Sequence, residues 1–272
     1  MGGRGGSIGG SHGMQPAAKA AAPAAKTKKV TPKAPAAKMT PGQALVAKLK
    51  SDPRALLKMS DSDALTAMQE IAKRTVSAGE NDTLVQRYLD AIGWSEIKPT
   101  VLAPGAYGKA RRAAGAVNLY HADKDYMGTS GAVFNQNYLS GSKAYSYYGI
   151  HGAGTYWASQ SAGTSASYGN HQIKGFLNSS AKPIRRSQLT TFVRNFKKTH
   201  PATVQFLANT RKRGYGGSDE TLLPIVAASY GYNTILAHNS MSRGSYIVTL
   251  NRGVTTVCSK TNDNATSSMS DW

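Results

Sequence analysis

The sequence predicts an α+β fold, and three observations lead to that prediction. Short runs rich in aromatic and β-branched residues are bounded by glycine, asparagine and serine, which is typical of strands. Helical stretches lie between these runs, and amphipathic helices precede them. The 272 residues, 40% of them hydrophobic, are enough for one sizeable domain with its own core. The strands are too short and scattered for a doubly wound parallel sheet.

Residues 1–39 are predicted to be a disordered basic tail. They are mainly Gly, Ala, Lys and Pro, so burial of apolar surface cannot offset the entropy lost on ordering. The tail carries seven Lys and Arg residues and no acid. Such a charge favours nucleic acid or another polyanion as a partner, although it also serves solubility.

Residues 40–98 are predicted to form a helical subdomain or lid. Thr40 followed by Pro41 indicates an N-cap and the first residue of a helix. A second helix follows the sequence SDSD at 60–63, and a third runs from Asp82 to a stop at Gly93. Each has one apolar face, formed by Leu45, Val46 and Leu49, by Leu65, Met68 and Ile71, and by Leu84, Val85, Tyr88, Leu89 and Ile92.

Residues 99–260 are predicted to form the main α+β domain, followed by a flexible C-terminus at 261–272. Strands are predicted within 116–122, 153–159, 182–186, 232–238 and 245–251. A helix is predicted over 187–200, after a Ser187 cap. Another is predicted over 219–232, with Asp219 and Glu220 at its N-terminal end.

Charge and residue inventory exclude several classes of protein. The net charge is +19, with 18 bases against 6 acids after residue 100, which favours polyanionic partners. A single cysteine excludes an internal disulfide framework, and the histidine spacing predicts no metal site. No apolar run approaches the length of a membrane span and the N-terminus lacks a secretory signal, so we expect a soluble chain without a membrane partner.

The stretch 149–168 carries the strongest indication of a binding site. Gly149, Gly152 and Gly154 allow a ligand to approach the main chain closely. Tyr156 and Tyr168 are suited to hold a flat aromatic ring between them. The same pattern is also typical of a glycine-rich turn with tyrosines in the core, and spacing alone leaves both interpretations open.

Three segments resemble the successive NAD-binding motifs of the ADP-ribosyltransferase fold. They are LYHA at 119–122, GIHGAGTYWA at 149–158 and SASY at 165–168. Their order and spacing are similar to those of the poly(ADP-ribose) polymerase and diphtheria-toxin branch. The MGGRGG start and the closing YIVTLNRG also resemble ADP-ribosyltransferase-like proteins of bacteriophages. The resemblance covers about residues 80–257 and implies a split β-sheet core, NAD as the cofactor and a phage origin.

The resemblance also implies roles for individual residues. His121 would bind the adenosine ribose, and the Ala122 main chain with the Ser165 hydroxyl would hold the nicotinamide carboxamide. Tyr156 and Tyr168 would stack on the nicotinamide ring, with Gly154 in the loop before Tyr156. Clamping both ends of NAD while straining the glycosidic bond favours loss of nicotinamide and capture by a target nucleophile. The alternative to a ligand-binding role is that His121 is a polar strand residue whose hydrogen bond is satisfied within the protein.

Two positions depart from the family pattern. Phage and arginine-specific relatives usually carry LYR at the first motif, where this chain has His121. The family's late glutamate, which polarises the ribose, is replaced here by Gly244 and Ser245. Glu220, or Asp219 beside it, is the nearest candidate for the catalytic acid, but helix N-capping is the favoured explanation of both residues. A carboxylate of the target is a further source of the acid.

The predicted function is NAD-dependent mono-ADP-ribosylation of a host protein or nucleic acid by a phage-encoded enzyme. The alternative is a catalytically inactive member of the fold that serves as a virion or nucleic-acid-binding structural protein. The missing glutamate favours the alternative, whereas the retained His121, Tyr156, Ser165 and Tyr168 favour the enzyme. Either function places the protein in the host cytoplasm or inside a virion.

Overall fold

The computed structural model describes residues 38–74, 83–94, 96–123, 138–139, 154–158, 171–210, 221–239 and 244–261. Residues 39–272 form one compact unit. The described α-helices are α1 (Pro41–Ser51), α2 (Asp61–Ala72), α3 (Leu84–Ala91), α4 (Pro104–Ala113), α5 (Arg186–Thr199), α6 (Pro201–Asn209) and α7 (Leu222–Ser229). The described strands are β1 (Thr100–Leu102), β2 (Leu119–Asp123), β3 (Thr155–Ala158), β4 (His171–Leu177), β5 (Pro183–Arg185), β6 (Thr234–Asn239), β7 (Gly244–Thr249) and β8 (Thr255–Cys258). The predicted tail up to residue 37 and the C-terminal segment from residue 262 lie outside the described residues.

Local capping signals begin the three N-terminal helices. The Thr40 hydroxyl accepts from the Gln43 amide at 3.2 Å, and the Gln43 side chain accepts from the Thr40 amide at 3.0 Å. The side chains of Ser60 and Thr83 cap α2 and α3 by accepting from a main-chain amide in the first turn of each helix. Gly93 follows α3 with a φ of 78°, a conformation that favours glycine. The three helices predicted between residues 40 and 93 are confirmed.

The described strands form one eight-stranded mixed sheet in the order β1-β8-β4-β2-β3-β7-β6-β5. β1 is parallel to β8 and β5 is parallel to β6, whereas every other neighbouring pair is antiparallel. A mainly antiparallel sheet packed with helices is an α+β architecture, so the predicted fold class is confirmed. The five predicted strands correspond to β2, β3, β5, β6 and β7.

The junction between β2 and β3 divides the sheet into two halves of four strands. Among the described residues, one pair, Tyr120 opposite Ala158, joins these two strands. Every other neighbouring pair of strands shares at least three residue pairs. The sheet is therefore continuous, and within the described residues its central ladder is its shortest.

The two faces of the sheet bury different cores. The Trp157 face carries the cluster of Leu119, Tyr138, Trp157, Ile173, Ile247 and Val257. The Tyr156 face carries Ile184, Ile235 and Val248, which share one large core with α1, α2, α3, α5, α6 and α7. Tyr107 of α4 covers Phe176 and Cys258 in a third, smaller cluster. The N-terminal helices thus share their core with strands β5, β6 and β7.

Several described elements were not predicted from the sequence: β1, β4, β8, α4 and α6. β4 and β8 are almost completely buried along their length, so they lack the alternation that indicates a strand. β1 has three largely exposed residues, and it is a strand because β8 pairs with it. The predicted Ser187 cap is wrong, because α5 begins at Arg186 directly after Arg185, the last residue of β5.

Candidate functional site

His121 lies on β2 beside the short central ladder, and its side chain is 5% exposed. Nδ1 donates to the main-chain carbonyl of Tyr156 on β3 at 2.7 Å, since a carbonyl oxygen can only accept. The imidazole also packs edge-on against Trp157, with the ring centroids 5.8 Å apart. The His121 side chain therefore bridges the two halves of the sheet just past the single Tyr120–Ala158 pair.

Tyr156 faces away from the His121 ring. It pairs with Val248 of β7, and antiparallel partners project to the same face of a sheet, so its ring lies on the Tyr156 face. The ring is half-buried against the large core and lies 6.5 Å from the Tyr246 ring, centroid to centroid. His121 thus contacts the main chain of Tyr156 and not its ring. Because the two side chains lie on opposite faces of the sheet, a ligand bound on one face does not contact both of them.

Trp157 provides a rigid support for the His121 ring. Its side chain is fully buried, and Nε1 donates to the Thr249 hydroxyl at 3.1 Å. The Tyr138 ring packs edge-on against it, with centroids 5.7 Å apart, and the Tyr138 hydroxyl is 2.9 Å from that of Thr255. Burial raises the pKa of the Tyr138 hydroxyl above its ordinary value, so this support stays neutral.

Gly154 and Ala122 occupy different environments beside the junction. A Cβ on Gly154 would lie 2.5 Å from Val248 Cγ1 and 2.9 Å from the Thr249 carbonyl oxygen, so the close approach of β7 requires glycine here. Ala122 pairs with Gln172 of β4 on one side. On its other side the β2–β3 ladder has already ended. The contact predicted between the Ala122 main chain and the nicotinamide stays a prediction, as does a cofactor role for Gly154.

Three of the predicted site residues, Ser165, Tyr168 and Glu220, lie outside the described residues, as does Asp219. Their roles therefore stay predictions from the sequence. Within the described part of the chain, no three His, Cys, Asp or Glu side chains are grouped so that they could hold a metal ion. A search of the same ranges finds no helix with the length and apolar character that a membrane crossing requires.

An open cavity of about 640 Å³ lies beside the Tyr156–Tyr246 pair. Its lining comes from the end of β5, the first turns of α5 and the facing parts of β6 and β7: Arg185, Arg186, Ser187, Thr190, Leu236, Ala237, Tyr246 and Ile247. The sequence analysis did not find this cavity or Tyr246. The sequence feature that could have indicated a binding site here is the tripeptide Arg185–Ser187 at the end of a strand. Such a tripeptide is equally typical of a solvated surface.

A second polar cluster lies on β2 and β4, beside α4. The Lys174 ammonium lies 6.0 Å from the centroid of the Tyr120 ring, within range of a cation–π interaction. Burial lowers the pKa of Lys174, and the nearby charge of Arg111 lowers it further, while Cys258 acts in the opposite direction. The Tyr107 hydroxyl donates to the Asn118 side chain at 3.0 Å. The Tyr107–Asn118 hydrogen bond joins α4 to the residue before β2.

Comparisons with known proteins give no match to a family model, a curated protein or a solved structure. The functional interpretation therefore depends on the chain's own residues and geometry.

Proposed function

We propose that this protein is an NAD-dependent mono-ADP-ribosyltransferase that modifies a host macromolecule. The observation that carries the proposal is the central junction of the sheet, where two four-stranded halves meet through one pair among the described residues, Tyr120–Ala158. A split sheet is what the sequence resemblance implies. The motif residues His121 and Ala122 lie on one of the two strands at this junction, and Tyr156 lies on the other.

The residues at the junction are suited to parts of a dinucleotide. Tyr156 offers a half-buried ring beside Tyr246, which is an aromatic surface of the kind that stacks on a planar ring. The Nδ1 hydrogen bond holds the His121 ring in one orientation, and Trp157 packs against that ring. His121 thus fixes the Tyr156 main chain from the opposite face of the sheet, so the Tyr156 ring would hold a ligand without rearrangement of the sheet.

NAD supplies the ADP-ribosyl group. In the transfer, the bond between the ribose and nicotinamide breaks, the nucleophilic atom of the acceptor bonds to the same ribose carbon, and the acceptor loses a proton. Holding both ends of NAD, as the sequence resemblance implies, would place strain on the bond that breaks. Glu220 is the proposed acid that stabilises the positive charge developing on the ribose.

Thermal unfolding of the full chain with and without NAD tests the cofactor assignment. A ligand at about 100 times its Kd stabilises the folded state by about 2.7 kcal/mol, so we expect the Tm to rise by roughly 5–10 °C. Tyr156→Ala should abolish this rise, whereas the matched control Tyr156→Phe keeps the ring and most of the rise. If millimolar NAD leaves the Tm of the folded wild type unchanged, the cofactor assignment is wrong. If Tyr156→Ala lowers only the baseline Tm, the ring is a core residue.

Transfer from labelled NAD to proteins and nucleic acids of a host lysate tests the activity itself. Glu220→Gln should remove transfer while leaving the NAD-dependent rise in Tm nearly intact, because the acid acts mainly in the transition state. Asp219→Asn tests the neighbouring candidate acid in the same way. Unchanged transfer in both variants would assign the acid to the target or to no residue of this chain.

A second candidate function is an inactive structural or nucleic-acid-binding protein of a virion. The observation that favours it is the start of β7, where Gly244 and Ser245 stand in place of the family's glutamate. The net charge of +19 fits a nucleic-acid partner. This candidate gains if the chain binds nucleic acid and neither the wild type nor any variant transfers ADP-ribose.

A further inference from the structure

The geometry points to a second ligand site, adjacent to the Tyr156 ring and lined by its neighbour Tyr246: the cavity at the start of α5 binds a nucleoside phosphate. Its volume of about 640 Å³ falls within the range of small-molecule sites and exceeds what an inorganic phosphate needs. This inference does not depend on the proposed transferase activity.

The cationic side of the cavity matches a phosphate group. Arg185 and Arg186 are adjacent and exposed, and neither forms an ion pair with a carboxylate in the part of the chain that the structure describes. Two guanidinium groups match a phosphomonoester, which carries nearly two negative charges at pH 7, better than they match a single carboxylate. Ser187 and Thr190 add hydroxyl donors to the same lining.

The rest of the lining is suited to a base and sugar. Leu236 and Ile247 are opposite each other on β6 and β7 and project to the same face of the sheet, where they give the lining an apolar surface; Ala237 and Tyr246 also line the cavity. A phosphate alone would leave this apolar surface uncovered, whereas a ring system attached to the phosphate would bury it. A lining that combines two arginines with apolar side chains therefore favours an organic phosphate with a planar body.

The charge of the surrounding chain favours the same class of ligand. No Asp or Glu occurs between residues 126 and 218, a stretch that supplies Arg185, Arg186, Ser187 and Thr190. The positive potential of Arg185 and Arg186 is therefore not offset by carboxylates from this stretch, and an anionic ligand is attracted from solution. Free nucleotide and the 5′-phosphorylated end of a nucleic acid strand present the same chemistry to the cavity.

Binding of adenosine 5′-monophosphate to the full chain, measured by calorimetry at physiological salt, tests the site. Arg185→Gln and Arg186→Gln should each weaken binding by about tenfold or more, because each removes a charge-assisted contact. Arg194→Gln is the matched control: Arg194 is exposed on the same helix but does not line the cavity, so we expect less than a twofold change. Adenosine without the phosphate should bind at least tenfold more weakly than the monophosphate.

A steric pair of variants separates binding in the cavity from attraction to a basic surface. Thr190→Trp fills the cavity without changing the charge and should abolish binding. Thr191→Trp, at the adjacent exposed position outside the lining, should leave binding unchanged. Circular dichroism confirms that each variant is folded. The site is refuted if Arg194→Gln weakens binding as much as Arg186→Gln does, or if Thr190→Trp still binds.

A short oligonucleotide with and without a 5′ phosphate distinguishes the two sources of ligand. Binding that needs the 5′ phosphate and is lost in Thr190→Trp identifies a strand end as the occupant. Binding of the monophosphate alone identifies a free nucleotide. If neither the monophosphate nor the phosphorylated oligonucleotide binds, the inference is overturned.

Discussion

Asp61 provides the cap for a helix that is distant in sequence, and its removal gives a well-defined stability prediction. α6 begins with Pro201, and the residue before it, His200, makes no side-chain capping bond. The first amide donors of α6 belong to Ala202 and Thr203, and they donate to the Asp61 carboxylate at 2.8 and 2.9 Å. The Thr203 hydroxyl donates to the same carboxylate at 2.8 Å. The Asp61 side chain of α2 therefore accepts the hydrogen bonds of the first free amides of α6.

We expect Asp61→Ala to lower the free energy of unfolding by about 2 kcal/mol. Loss of a helix cap costs about 0.5–2 kcal/mol, and hydrogen bonds to a charged group lie toward or above the upper end of that range. For a unit of this size the Tm should fall by roughly 4–8 °C. Asp63→Ala is the matched control, because Asp63 lies in the same first turn of α2 but caps no other helix in the described structure. It should cost less than about 1 kcal/mol.

The pH dependence of the same contact has a defined sign. Burial alone would raise the pKa of Asp61, but the hydrogen bonds from Thr203 and Ala202, with the charge of His200, outweigh burial and hold the pKa below its ordinary value. The stabilisation is therefore complete above the pKa of the unfolded chain, about 4, and is lost as the pH falls through the lower folded value. Urea unfolding at pH 6 and pH 3 should show a difference between the wild type and Asp61→Asn that shrinks at pH 3. Equal effects of Asp61→Ala and Asp63→Ala, or a difference that grows at pH 3, would refute this reasoning.

Two further predictions concern the junction of the sheet and the basic tail. Gly154→Ala should destabilise the protein by about 1–3 kcal/mol in urea unfolding, because the new Cβ meets the main chain of β7, which cannot move aside. Gly105→Ala has open space around its Cβ and should be neutral or stabilising; a similar loss in both variants would contradict the packing argument. Deleting residues 1–39 removes seven positive charges and should flatten the salt dependence of nucleic-acid binding in a fluorescence titration. An unchanged slope would assign the nucleic-acid contact to residues 40–272.

The secondary structure near strong local signals could be predicted from the sequence. Thr40 with Pro41, Ser60 and Gly93 mark helix boundaries through hydrogen bonds and backbone angles that involve only a few neighbouring residues. Amphipathic periodicity and helix-terminal signals found α1, α2, α3, α5 and α7, and runs of β-branched and aromatic residues found β2, β3, β5, β6 and β7. From these elements the α+β class followed, because each signal acts over a short range.

The placement of the candidate-site residues could not be predicted from local sequence patterns. The sequence singled out His121 and Tyr156, but their placement on opposite faces follows from the register of β2, β3 and β7. Gly154 was predicted to contact a ligand, and the structure adds a packing reason for glycine there, because Val248, almost a hundred residues later in the chain, lies close to it.

Long-range packing accounts for the remaining differences. β1 is a strand only because β8 lies beside it, and β4 lacks alternation because both of its faces are covered. The sequence analysis placed Asp61 in the SDSD segment before the second helix, yet Asp61 lies in the first turn of α2 and also caps α6, where its partner Ala202 is 141 residues away in sequence. Periodicity and capping motifs report on neighbours within a few residues. Strand order, burial on both faces and caps supplied by another helix depend on contacts that form only when distant segments pack together.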